Sequence, residues 1–166
     1  MQLTGQQVIE LGILSNYCQE GIQQQGVDVR VAKIREVYGV GTIPTTGKTR
    51  ACPTRAVEQS SPGCYYLEPG YYEVVLMEGC NIPNNIEMDY KTRSSLVRCG
   101  ATIHSGQFDA GFKTEAMGCF MYVRRPILIH QGARIAQTVF NETYPVNDEN
   151  LYDGQWQNDK QRSEVK

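Results

Sequence analysis

The sequence lacks the features that mark several common classes of protein. No apolar run in its 166 residues approaches the ~18 residues that a membrane-spanning helix requires, so we expect no membrane partner. The first residues contain neither a basic segment nor a long apolar one, which predicts a cytoplasmic protein without a secretory signal. Neither sign of charge is in large excess, since 16 Lys and Arg stand against 18 Asp and Glu. The net charge of −2 argues against nucleic acid as a partner.

Patterns that bind metal through the protein alone are also scarce. The two histidines, His104 and His130, are too few for a multi-histidine site. No two of the six cysteines are separated by only two residues, which excludes the paired zinc knuckle. We expect reduced and mostly buried thiols. One disulfide remains open, between Cys52 and Cys64, which flank a segment that contains proline and serine.

The sequence does contain a series of short strand patterns. Its 40% hydrophobic and 20% charged residues are typical of a globular protein, and its 16 Gly and 7 Pro suit many turns. Thr4 is placed to cap one N-terminal helix, and residues 146–166 form a polar tail that we expect to order when something binds. The strand patterns lie at residues 26–31, 71–76, 86–90, 118–123, 126–129 and 135–140. This predicts a single all-β domain, a jelly roll or barrel with a short N-terminal helix.

Three polar clusters interrupt the strand patterns. The first is Arg93-Ser94-Ser95 with Arg98, where guanidinium forks and short hydroxyl donors suit a polyphosphate; an ordinary charged turn is the alternative. The second, residues 106–112, places the carboxylate of Asp109 among aromatic residues and glycines that let a ligand approach the backbone. The third, residues 132–137, is a turn that enters a buried strand and ends on the polar Gln137.

Together these clusters resemble the deoxyuridine triphosphatase and deoxycytidine triphosphate deaminase superfamily. In the family's order stand Arg93-Ser94-Ser95-Leu96, Asp109-Ala110-Gly111-Phe112 and Gly132-Ala133-Arg134-Ile135-Ala136-Gln137, with similar turns at Leu67-Glu68-Pro69-Gly70 and Ile82-Pro83 and a first motif at Gly26-Val27-Asp28-Val29-Arg30. The resemblance covers roughly residues 26–157. It implies a homotrimeric distorted jelly roll with active sites at subunit interfaces and Mg²⁺ on the triphosphate of the substrate.

The superfamily holds two chemistries, between which one carboxylate decides. The deaminases have a catalytic Glu ten residues beyond the Asp that matches Asp109, and that position is Cys119 here. Counting back from Pro126 gives Gly118 instead. Neither residue can shuttle protons as deamination requires. The sequence therefore favours a dUTP diphosphatase that releases dUMP and pyrophosphate; a dCTP deaminase with a displaced acid/base and a non-catalytic nucleotide-binding trimer are the alternatives.

The resemblance also implies roles for individual residues. Asp109 would activate the attacking water, Phe112 would support the deoxyribose and exclude a 2′-hydroxyl, and Asp28 would hold Mg²⁺ through water. Residues 100–109 would form a hairpin that reads the uracil edge. The remaining residues that we expect to bind substrate are Arg93, Ser94, Ser95, Arg98, His104, Gln107, Gln137, Tyr152, Gln155 and Trp156. The tail that carries the last three is expected to close as a lid, with a strap on a neighbouring subunit as the alternative.

Overall fold

Strands dominate the computed structural model, which describes residues 1–158. The two α-helices of this part are α1 (Gly5–Glu10) and α2 (Ser94–Arg98), and single 3₁₀ turns cover Gln19–Gly21 and Asp148–Asn150. The strands are β1 (Leu14–Ser15), β2 (Ile22–Gln23), β3 (Gly26–Val37), β4 (Thr54–Ala56), β5 (Cys64–Leu67), β6 (Gly70–Leu76), β7 (Gly79–Asn81), β8 (Ile86–Thr92), β9 (Ala101–His104), β10 (Lys113–Thr114), β11 (Gly118–Val123), β12 (Ile127–His130) and β13 (Arg134–Glu142). The mainly β fold expected from the sequence is confirmed.

The main sheet curls until its two ends almost meet. Its strands run in the order β8-β13-β3-β6-β11-β9, and β2 and β4 also pair with β3. The outer strands β8 and β9 approach each other where the Ile103 amide donates to Thr92 Oγ1 at 3.0 Å. Two smaller sheets, β1-β7-β10 and β5-β12, complete the fold. This nearly closed barrel encloses a core of aliphatic and aromatic side chains. Strand β3 lies in the middle of the main sheet.

Strand β3 is central because its sequence suits pairing on both edges. Val27, Val29 and Val31 are fully buried, as expected of β-branched residues in an interior strand. At the start of the strand, Gly26 has φ +143°, and a Cβ atom there would lie 1.8 Å from the Thr138 carbonyl oxygen. Only glycine therefore permits the close approach of β3 and β13.

The N-terminal helix begins where the sequence predicts. The Gln7 amide donates to Thr4 Oγ1 at 3.3 Å, and the Thr4 amide donates to Gln7 Oε1 at 2.9 Å, which is a capping box. The helix ends at Glu10, and Gly12 turns the chain with φ +65°. Ile13 enters the core from beyond this turn.

The long segment between β3 and β5 is an irregular hairpin. Thr42 and Arg50 exchange two backbone hydrogen bonds of 2.8 and 3.0 Å, and β4 then pairs with the end of β3. The disulfide that the sequence left open between Cys52 and Cys64 is not formed in the structure. Cys64 is buried at the start of β5 with its Sγ atom 3.9 Å from His130 Nε2. No helix within residues 1–158 is both long and apolar enough to cross a bilayer.

Candidate functional site

A buried carboxylate forms ion pairs with two arginines near the end of β8. Asp28 on β3 is 3% exposed, and its Oδ2 atom lies 3.1 Å from Arg93 Nε and 3.4 Å from Arg134 Nη1. Arg93 Nη1 also donates to the Arg134 carbonyl at 3.0 Å. Burial raises the pKa of Asp28 above its ordinary value, and the two guanidiniums oppose this shift. Two guanidiniums around one carboxyl group leave a surplus of positive charge, which favours an anion.

A β-bulge brings these residues to one face of the sheet. Along β13 the pairing with β3 shifts between Arg134 and Ala136, so that two residues of β13 stand opposite one of β3. Gln137 is the partner of Asp28 beyond the bulge. In a regular strand, residues 134 and 137 would face opposite sides. The bulge therefore lets Arg134 reach Asp28 while Gln137 keeps the same face.

The two serines come directly after Arg93 in the sequence. Arg93 is the N-cap residue of α2, and Leu96 anchors the helix in the core. Ser94 and Ser95 are exposed in its first turn, and Arg98 is exposed in its last. The structure thus joins Arg93, Ser94 and Ser95 to Asp28 and Gln137, whereas Arg98 lies one turn further on. Helix α2 itself was missed by the sequence analysis because five residues are too short for a helical period.

Asp109 lies elsewhere, in an open cavity of about 540 Å³ at the beginning of β8. Gln107, Asp109 and Tyr152 line this cavity together with Glu87. Glu87 orients Gln107, because its Oε2 atom accepts a hydrogen bond of 2.5 Å from Gln107 Nε2. His104 is exposed on β9 and is not among the cavity residues; its Nε2 atom lies 3.2 Å from Thr102 Oγ1.

The segment before Asp109 differs from the expected hairpin. Residues 101–104 form β9, which pairs with β11. Phe108 then makes an isolated bridge to Met88, with backbone hydrogen bonds of 2.9 and 3.0 Å. The segment is therefore shared between two neighbours rather than folded on itself, because both of its backbone edges find partners in the closing sheet.

Phe112 belongs to a row of aromatic rings behind the cavity. Its side chain is 6% exposed, with edge-to-face contacts to Phe108 at 5.2 Å and to Tyr152 at 5.5 Å between ring centres. Phe108 in turn meets Tyr90 at 5.2 Å. Such pairs add roughly 0.5–1.5 kcal/mol each to the burial itself. Phe112 is thus packed into the fold, and its role in sugar recognition remains a prediction.

The polar tail, expected to order only on binding, is folded against its own chain up to residue 158. The Val146 amide donates to Asn84 O at 2.8 Å, and the Tyr152 amide donates to Ala110 O at 2.9 Å. Gln155 Nε2 donates to Thr49 O at 2.7 Å, away from the cavity, and Trp156 is 41% exposed. Backbone partners on neighbouring loops supply the order that its composition did not predict. Of the three tail residues expected to bind substrate, only Tyr152 lines the cavity; residues 159–166 lie outside the described part.

Most of the expected site residues therefore form two groups at opposite ends of β8, and His104, Gln155 and Trp156 belong to neither group. Glu87, at the cavity of Asp109, precedes Arg93 by six residues. At about 3.3 Å per residue, this places the two groups roughly 20 Å apart along the strand. A single copy of the chain does not bring Arg93, Ser94 and Ser95 to the carboxylate of Asp109.

A second buried ion pair was not anticipated. Glu78 is fully buried, and its two oxygens accept hydrogen bonds of 2.9 Å from the Arg30 amide and 2.7 Å from Arg30 Nε. The Arg30 guanidinium also donates to Asn16 O. Burial raises the pKa of Glu78 above its ordinary value of 4.5, against the effect of Arg30. Because the pKa of Glu78 is higher in the folded than in the unfolded protein, the contribution of this titration to the free energy of unfolding is fully present below the unfolded-state pKa. It is lost as the pH rises through the folded-state pKa.

The structure thus presents a cluster of arginines and serines with surplus positive charge and, apart from it, a carboxylate in the wall of a cavity backed by aromatic rings. The chain belongs to the dCTP deaminase-like family, whose family model matches residues 3–143.

Several archaeal proteins that are similar in sequence to this chain are named for the same activity. The chain is 33% identical over 143 residues to a probable deoxyuridine 5′-triphosphate nucleotidohydrolase of Methanosarcina mazei, covering 83% of this chain and 81% of the relative. It is 36% identical over 143 residues to the deoxyuridine 5′-triphosphate nucleotidohydrolase of Methanocaldococcus jannaschii, covering 84% and 91%. A probable enzyme of the same name from Halobacterium salinarum is 36% identical over 144 residues, covering 84% of each chain.

The fold has a counterpart among solved structures. The 2′-deoxycytidine 5′-triphosphate deaminase of Agrobacterium tumefaciens superposes with a TM-score of 0.64 at 19% identity, over 84% of this chain. This chain spans about half of that deaminase chain, since the match covers 47% of it. At this identity the similarity shows the shared fold.

Proposed function

We propose that the protein is a dUTP diphosphatase, which hydrolyses dUTP to dUMP and pyrophosphate. The observation that carries the proposal is the placement of Asp109, an exposed carboxylate in the wall of an open cavity. Cys119, ten residues further, is 1% exposed on β11 and offers no proton-shuttling carboxylate. The names of the archaeal relatives support the same activity.

The chemistry needs a general base, ligands for the phosphates and a surface that recognises the uracil ring. Asp109 accepts a proton from a water, whose oxygen attacks the α-phosphorus of dUTP, and the α–β phosphoanhydride bond breaks to release pyrophosphate. Arg93, Ser94 and Ser95 hold the phosphates, and Gln137 lies beside them on the sheet. Gln107, oriented by Glu87, faces the nucleotide from the cavity wall.

Mg²⁺ fits this site only through water. Within residues 1–158, no three His, Cys, Asp or Glu side chains stand close enough to hold a metal ion. The Oδ2 atom of Asp28 is occupied by two guanidiniums, so a water on this carboxylate is the available route to a metal. When bound with the triphosphate, Mg²⁺ neutralises negative charge on the phosphates.

The separation of the two residue groups supports sites at subunit interfaces, as in the homotrimer that the family resemblance implies. Because about 20 Å of β8 lies between Glu87 and Arg93, one copy of the chain supplies the cavity of Asp109 and a neighbour supplies the phosphate ligands. Sedimentation of the purified protein would give the number of subunits. A catalytically active monomer would contradict this assembly.

The function is tested by incubating the protein with Mg²⁺ and either dUTP or dCTP and resolving the products. Pyrophosphate and dUMP from dUTP are expected. Ammonia released from dCTP would instead identify a deaminase. Tight binding of either nucleotide without a product would identify a non-catalytic nucleotide-binding protein.

Asp28→Asn is expected to raise the Mg²⁺ concentration for half-maximal activity about tenfold, as loss of an outer-shell ligand typically does. The amide keeps the shape but attracts the hydrated ion less, and it leaves both arginines without a carboxyl partner. Titrating Mg²⁺ at saturating dUTP measures the effect. An unchanged Mg²⁺ dependence would restrict Asp28 to holding Arg93 and Arg134. The matched control is Asp89→Asn, a change on the exposed face of β8.

Phe112→Ala is expected to lower the free energy of unfolding by about 3–5 kcal/mol, because a buried aromatic ring is lost. We also expect the preference for dUTP over UTP to fall, since the ring would no longer exclude a 2′-hydroxyl. The ratio of kcat/KM for the two nucleotides separates the effects. Phe140→Leu, within the core on β13, should lower stability and leave that ratio unchanged. An unaltered ratio in Phe112→Ala would leave the ring with a packing role alone.

A further inference from the structure

Gln157 joins three points of the main chain close to Asp109. Its Oε1 atom accepts a hydrogen bond of 2.7 Å from the Lys113 amide. Its Nε2 atom donates to Gly111 O at 2.8 Å and to Tyr152 O at 3.0 Å. The oxygen of the side-chain amide and both of its N–H groups thus bond to the backbone, so neither donor of the amide is left unused.

The same two segments also meet through their backbones. The Tyr152 amide donates to Ala110 O at 2.9 Å, and the Asn158 amide donates to Lys113 O at 3.0 Å. Between these contacts Gly111 has φ +87°, and a Cβ atom on it would lie 2.8 Å from Leu151 Cβ. The tail therefore lies directly against residues 110–113, the segment that follows Asp109.

We propose that Gln157 is a positioning residue, which clasps residues 110–113 and so fixes the direction of the Asp109 carboxylate. The proposal rests on the hydrolase function proposed above. Asp109 is exposed, so packing of its own side chain does little to orient it. The direction of its carboxylate follows from the backbone of its loop, and Gln157 bonds that backbone on both sides of Phe112.

Loss of the clasp should loosen this loop without unfolding it. The Gly111 amide donates to Ile82 O at 3.0 Å, and the Ile82 amide donates to Phe112 O at 2.9 Å. Phe112 is also buried in the aromatic row. These contacts remain when Gln157 is replaced, so the effect should fall on the geometry of catalysis rather than on folding.

The first test compares Gln157→Ala with Gln131→Ala. Gln131 also donates from Nε2 to a backbone carbonyl, that of Ala32 at 3.1 Å, but it lies on the turn between β12 and β13. We expect kcat for dUTP to fall about 10–100-fold in Gln157→Ala, because misplacing a catalytic group by about 1 Å has effects of this size. KM should change less than about threefold. Gln131→Ala should match the parent.

The variant Gln157→Glu separates positioning from bulk packing. Its ionised carboxylate still accepts from Lys113 but faces the carbonyls of Gly111 and Tyr152 without a proton to donate. Its activity relative to the parent should therefore recover as the pH is lowered towards about 4, where a glutamate side chain regains its proton. A relative activity that does not change with pH would contradict the proposal.

Hydrogen exchange provides a readout that does not depend on turnover. The Lys113 amide should exchange at least tenfold faster in Gln157→Ala than in the parent or in Gln131→Ala. If the parent does not hydrolyse dUTP, the proposed function fails, whereas the exchange rate still reports on the clasp. Unchanged exchange at Lys113, or an unchanged kcat in an active protein, overturns the positioning role.

Discussion

Asp109→Asn is expected to lower kcat for dUTP about 10²–10⁴-fold, the range typical of a general base, and to leave nucleotide binding within about threefold. Asparagine keeps the shape of the side chain but cannot take a proton from water. Because Asp109 is exposed in the cavity wall, the substitution should cause little loss of stability. Single-turnover hydrolysis and binding of a non-hydrolysable dUTP analogue measure the two quantities.

Asp89→Asn is the matched control for this experiment. Asp89 is also exposed, on β8, with its Oδ2 atom 3.9 Å from Lys91 Nζ. Its replacement should leave kcat within about twofold of the parent, because an exposed pair of this kind contributes little. Turnover by Asp109→Asn within twofold of the parent would remove Asp109 from the mechanism, provided that its thermal unfolding matches that of the parent.

Removal of residues 151–166 is expected to lower activity by about 100-fold or more and to lower the melting temperature moderately. The truncation removes Tyr152, a wall of the cavity that packs on Phe112, and every contact of Gln157 with the loop after Asp109. Loss of such geometry typically has effects of this size. The main sheet stays intact, because β13 ends before the deletion.

The truncated protein also separates the two roles considered for the tail. A lid predicts that the subunits remain associated after truncation. A lid predicts in addition that Trp156 fluorescence of the full-length protein changes when a dUTP analogue and Mg²⁺ bind. Dissociation into single chains on truncation would indicate a strap between subunits. Full activity of the truncated form with an unchanged Trp156 signal would contradict both the lid and the clasp.

The sequence predicts those parts of the molecule that depend on local patterns. β-branched and alternating residues indicated β3, β6, β8 and β13 because side chains in strands repeat every two residues. The cap at Thr4 was visible for the same reason: its partner, Gln7, is only three residues away. The order of the three polar clusters was enough to indicate the family, whereas the catalytic role of Asp109 stays a prediction.

Features that depend on the register of distant strands were not predictable. Nothing in the sequence around Arg134 indicates that it reaches Asp28, because the contact requires a bulge between two paired strands. Gln157 makes its contacts with backbone groups, which are the same in every residue and leave no trace in the sequence. The burial of Phe112 depends in the same way on Tyr152 folding back from the tail.

The bulge on β13 also constrains which changes in length this gene can tolerate. Loss of the Ala133 codon would allow a regular ladder between β3 and β13. The residues on one side of the deletion would then be turned by half a repeat, because a shift of one residue exchanges the two faces of a strand. Arg134 and Gln137 would lose their common side, although neither had been substituted. Insertions and deletions should therefore be rarer here during divergence than in the hairpin after β3, where the Thr42–Arg50 pair lies outside the main sheet.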